Sequence, residues 1–231
     1  MPSSISGMTI DEMIEDVQNA VGNDSTALAT YLMNKANFLQ NEICNAHDWS
    51  FLHTTGNITV TADSATATLP SDCIDVEDIV DAVNGRRILR TEARRIDQAD
   101  PSGISKGDIT HYSKWGNTTI YVRDIPTADT VLSLKYKRKP TYLISGSYTT
   151  IPIEYQYLLG QRLFAAALQR ETDDRFQGEY QLYRNMLMEA IRTDMTRLEG
   201  DDRIKWAEEE GKTSGDSGAT YEQVVRSWYA S

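Results

Sequence analysis

Bases are almost missing from the first third of this chain: residues 1–84 carry 13 acids and one base. Such a segment repels phosphate, and the net charge of −11 argues against a general affinity for nucleic acid. Cysteine is nearly absent too. Cys44 and Cys73 are too few for a disulfide framework, and their mixed or apolar surroundings read as buried free thiols. No apolar run approaches the roughly 20 residues of a membrane helix. The opening MPSSISGMTIDEM lacks the basic and apolar regions of a signal peptide. The expectation is a soluble protein made in a cytosol, with no membrane partner.

The chain does have bases further on. Residues 85–140 hold 12 bases and six acids, and residues 141–231 hold 10 bases and 15 acids. A basic middle between acidic flanks suits oriented self-association, and equally a basic band near DNA. With 231 residues, 40% of them hydrophobic, there is material for one core and a smaller satellite.

Periodicity divides the chain. Thr9 and Glu12 have capping-box spacing before the stripe Ile10, Ile14, Val17, Val21, which Gly22 ends. Ser25 caps a second stripe: Leu28, Leu32, Ala36, Leu39, Ile43, Ala46. From Phe51 the period changes to two. NITVT and ATATL around ADSA predict a hairpin, as do VEDIVDAV and RRILRT around Asn84-Gly85. DITHYSK and TTIYVRD flank a third turn at Trp115-Gly116-Asn117. TVLSLKYKRK is a further strand, and EARRIDQADPSG is a short helix stopped by Pro101. Helical spacing returns after Pro152 with Tyr155, Leu158, Leu159, Leu163, Ala166 and Ala167. A last helix carries Phe176, Tyr180, Tyr183, Leu187 and Ala190 and is expected to end at Gly200.

The predicted fold is α+β: an antiparallel bundle of about four helices with an inserted antiparallel β-domain and an extended C-terminal arm. The corresponding segments are 1–50 (N-terminal bundle helices), 51–150 (β-domain), 151–199 (C-terminal bundle helices) and 200–231 (flexible arm). Trp49 and Phe51, two apart in a segment read as extended, would point the same way and rivet the helical layer to the β-domain.

Catalytic signals are weak. Gly211-Lys212-Thr213 has Trp206 where a phosphate-binding loop needs its first glycine. Cys44, His47, His53 and Cys73 lack the two compact ligand pairs of a zinc site. Asp97/Asp100 and Asp173/Asp174 read more simply as helix-end and capping carboxylates than as a hydrolytic pair. No enzyme, metal or cofactor is expected. In KYKRKPTY, Lys135, Lys137 and Lys139 share one strand face. They form either a lysine-protected edge strand or a contact surface, the latter allowing a nucleic-acid-binding alternative through residues 135–142.

Taken in order, a short and a long helix ending in Trp-x-Phe, LPSD before the Asn84-Gly85 hairpin, GDITHYSKWGNTTIYV, DIPTAD, LSLKYKRKPTYL and IPIEYQYLLGQRLFAAALQ form a pattern over roughly residues 8–198. It resembles the head-to-tail adaptor (connector) proteins of tailed bacteriophages, the group that includes tail tubular protein A and the podophage tail accessory factor. The resemblance implies a virion neck protein assembled in the host cytoplasm. It implies a ring of subunits, commonly twelve, beneath the portal protein and above the tail or nozzle protein, with DNA passing its lumen without sequence-specific contact.

The segment after residue 200 is longer than in the shorter members of that group. It passes through a Gly/Ser-rich stretch to Tyr221, Val224, Val225, Trp228 and Tyr229, too apolar for an idle tail. Burying those five at ~1.5–3 kcal/mol each gives about 7–15 kcal/mol gross. Ordering a dozen residues at ~1–2 kcal/mol each costs a similar amount. One arm is therefore a weak ligand, and a ring of arms a strong one. Deleting residues 214–231 is expected to leave a folded protein that no longer joins the portal or the neighbouring subunit, and a co-sedimentation assay with unchanged assembly would refute this.

Overall fold

The computed structural model describes residues 7–209, with side chains up to 197. It falls into two units, one ending at Arg192 and one beginning at Thr193, whose described part is helical as far as Glu209. The described residues form five α-helices: α1 (Ile10–Val21), α2 (Thr26–Asn45), α3 (Ala93–Ala99), α4 (Gln156–Arg170) and α5 (Phe176–Glu209). Seven strands accompany them: β1 (His53–Val60), β2 (Thr66–Thr68), β3 (Cys73–Asp81), β4 (Arg87–Arg90), β5 (His111–Trp115), β6 (Thr119–Arg123) and β7 (Thr130–Arg138).

Local chemistry sets the helix ends. Thr9 and Glu12 bond reciprocally, closing the capping box of α1, and Gly22 takes the left-handed φ of 74° that ends it. The Ser25 hydroxyl accepts the Leu28 amide at the start of α2. Ile10, Ile14 and Val17 of α1 are buried with Leu28, Leu32, Ala36, Leu39 and Ile43 of α2 and Leu158, Leu159 and Leu163 of α4. Tyr183 and Ala190 of α5 complete that core. Arg162 joins three of these helices. Its guanidinium meets both carboxylate oxygens of Glu42 at 3.0 and 3.1 Å, and the Tyr183 hydroxyl donates to the same carboxylate.

The strands depart from the expected domain. They make one sheet in the order β1-β7-β3-β4-β5-β6-β2, with β1 and β2 side by side at its ends. The result is a nearly closed, barrel-like sheet, and a bundle of four helices with an inserted antiparallel β-domain is not what forms. ADSA does not close a hairpin: β1 pairs with β7 and β2 with β6. The crossover through α3 sets β4 and β5 parallel. β1 and β2 each keep one ladder, and their adjacency at the two ends of the sheet leaves little open edge. Two expected hairpins do form. β3 meets β4 through a turn in which Gly85 has φ 63° and Asp81 accepts the amides of Val83 and Asn84, and β5 meets β6 across Gly116. A second core, including Val76, Ile79, Ile88, Tyr112, Ile120, Leu132 and Leu134, fills the sheet. At the other end of the chain, α5 runs through Gly200 to Glu209, because a single glycine costs a helix only about 1 kcal/mol.

Arg162→Met is expected to destabilise the protein by about 2 kcal/mol, because the partly buried carboxylate of Glu42 loses both of its guanidinium hydrogen bonds. Urea unfolding of the variant against the parent measures this.

Candidate interaction surfaces

The last turn of α2 contains neither a base nor a left-handed residue to occupy its terminal carbonyls. Trp49 adds a donor there: its indole Nε1–H bonds at 2.8 Å to the Ile43 carbonyl, which also accepts the Ala46 amide. The ring is fully buried. It stacks on Phe51 at 5.4 Å and 29°, leans on Tyr155 at 5.3 Å, and meets His47 edge-on. Ser50–Leu52 is a 3-10 turn rather than an extended segment, so the two rings converge through a tight turn. Tyr155 stands at the entry to α4. The aromatic cluster therefore connects the end of α2, the start of β1 and the start of α4.

Beside it lies a polar cluster. Asp48 accepts from Lys137 Nζ at 2.6 Å and faces His53 Nε2 at 3.5 Å, while His53 Nδ1 contacts Glu77. Burial pushes the Asp48 carboxyl up, but the Lys137 hydrogen bond and charge, helped by His53, outweigh it and hold the group below its usual range.

The lysines of the basic strand are not on an edge. β7 lies between β1 and β3, which corrects the edge-strand reading. Lys135 is exposed, Lys137 is engaged by Asp48, and Lys139 lies just past the strand with its amide on the Asp72 carbonyl. Tyr136 is buried with its hydroxyl on Asp72, so it offers no face to a base, whereas Tyr142 is 74% exposed.

The catalytic candidates separate. Cys44 is buried in the helical core and Cys73 in the sheet core, and both are free thiols. Burial pushes the Cys44 thiol up to about 12 and also raises Cys73. Asp100 spends its carboxylate on the amides of Gly103 and Ser105 and the Ser102 hydroxyl, and the Ser105 amide above all draws its pKa down. Asp173 accepts three nitrogens of Arg175 at the approach to α5. Tyr221, Val224, Val225, Trp228 and Tyr229 lie outside the described residues.

Two surfaces escaped the sequence reading. Between α1 and α4 runs an apolar groove of about 460 Å³, lined by Met8, Met13, Val17, Ile153, Tyr157 and Phe164, with Asp16 at its side. A shallower acidic hollow continues from it past Glu12, Glu15 and Asp16. On α2, Tyr31, Lys35 and Phe38 form a ridge spaced by four and three residues, with Phe38 63% exposed. Their spacing was legible, but the stronger buried stripe on the same helix hid it.

A folded Asp48 pKa below the unfolded one contributes stability above the unfolded pKa of about 3.9, and that stability is lost as pH falls through the folded value. Asp48→Asn should therefore lower Tm at pH 7 and make the fall in Tm below about pH 4 shallower. Melts between pH 2 and 7 test this. Neither thiol is expected to react with a disulfide reagent at pH 8 until the protein is unfolded, so a native-state titration should find no free thiol.

Comparison with curated protein sequences found no match. The profile of the SU10 adaptor protein family, by contrast, matches residues 8–205, which takes in every described element except the end of α5. The chain belongs to the SU10 adaptor protein family, a structural phage adaptor family.

Proposed function

We propose that this chain is the subunit of a head-to-tail adaptor ring that joins the portal protein to the tail and forms part of the DNA channel. The match to the adaptor family over residues 8–205 carries this reading. Several features agree with it. Trp115, Tyr142, Ile144 and Phe38 are all more than 60% exposed, an apolar surface suited to burial between subunits. The net charge of −11 suits a conduit that DNA slides through, since strong phosphate contacts would retard it. The arm with Tyr221, Val224, Val225, Trp228 and Tyr229 is proposed to engage the portal or a neighbouring subunit. The narrower likeness to tail tubular protein A remains part of this proposal.

The alternative, nucleic-acid binding through residues 135–142, is less favoured, because Tyr136 is buried and Lys137 is committed to Asp48. Mass measurement of the protein alone and mixed with a portal complex separates the two. A defined ring, expected near twelve copies, supports the adaptor. Absence of any portal-dependent ring, together with a salt-sensitive DNA mobility shift at physiological ionic strength, would replace it with the second reading.

A further inference from the structure

The single base among residues 1–84 is Lys35. It lies between Tyr31 and Phe38, with its ammonium 5.8 and 5.9 Å from their ring centres, and Arg170 from the end of α4 sits 4.9 Å from the Tyr31 ring. Lys35 makes no ion pair among the described residues, and neither do Glu15 and Asp16 at the groove between α1 and α4. One face of the helical core thus has the exposed Phe38 ring beside Lys35, with Arg170 one turn away at Tyr31. Another has an apolar trough flanked by carboxylates. None of the three ridge residues lines the groove of its own chain.

Each face supplies what the other lacks. A ridge at i, i+4, i+7 is the shape that enters a groove between two helices. A contact of either face with itself would set cation against cation or carboxylate against carboxylate, whereas a head-to-tail contact between the two different faces pairs opposite charges and repeats around a ring. We propose that the Tyr31–Lys35–Phe38 ridge of one copy docks into the groove between α1 and α4 of the next, with Phe38 among Val17, Tyr157 and Phe164. Lys35 and Arg170 then face Glu15 and Asp16. This deepens the ring reading above and rests on it, by naming the two faces that meet between subunits.

Cross-linking tests it directly. Ala20 is exposed at the groove, and the native thiols are buried. The full chain carrying both Ala20→Cys and Asn34→Cys, the latter exposed beside the ridge and sparing Phe38, oxidised under conditions in which the parent forms rings, alone or on the portal complex, should give a ladder of disulfide-linked multimers. Either cysteine alone should give nothing beyond a dimer. Lys35→Glu should weaken assembly about tenfold or more, and Asp16→Lys in the same chain should restore it in part. Rings without a ladder, or rings indifferent to Lys35→Glu, overturn the proposed interface and leave the ring reading standing. A parent that forms no ring in any condition overturns both.

Discussion

Everything in the N-terminal unit depends on burying one indole without stranding its N–H. Trp49 meets that constraint because the Ile43 carbonyl, at the point where the chain leaves α2, accepts the indole as well as the Ala46 amide. That hydrogen bond satisfies a donor that would be costly to leave bare inside the protein. The indole can then serve as the floor on which Phe51 and Tyr155 pack, and those rings come from segments about a hundred residues apart. A helix terminus, a strand start and a returning helix are thereby held in one place.

The ion pairs around that point are local. Lys137 from the middle of the sheet reaches Asp48, Arg162 reaches Glu42 and Tyr183, and Asp81 holds its own hairpin turn. Lys35 on α2 and Glu15 and Asp16 on α1 are among the charges that make no ion pair with the described residues.

Much was legible locally and little at long range. Thr9 with Glu12, Gly22, Ser25 and the stripes of α1, α2 and α4 act within a few residues, so their chemistry can be read in order. Asn84-Gly85 and Gly116 mark real hairpin turns for the same reason. ADSA misled because a turn-like composition does not say which strand pairs with which, and β1 found β7 some eighty residues away. Gly200 misled because a helical stop by glycine needs tertiary support that a propensity scale does not contain. Lys135, Lys137 and Lys139 were visible as a basic set, but their fate turned on β7 lying between two neighbours rather than at an edge. The open faces on α1 and α2 were the hardest to see, since an exposed stripe has meaning only once the buried one is known.

Sequence alone determined the helix caps, the burial stripes, the change of period at Phe51, the charge asymmetry and the ordered pattern that pointed to an adaptor, because each depends on neighbours within a turn or a strand. Only the tertiary structure decided that the strands curl into one nearly closed sheet, that α5 continues past Gly200, and that Lys35 stands unpaired on one face while carboxylates stand unpaired on another. Those outcomes depend on which distant segments meet, and pairing free energy between distant segments is not written in any local window.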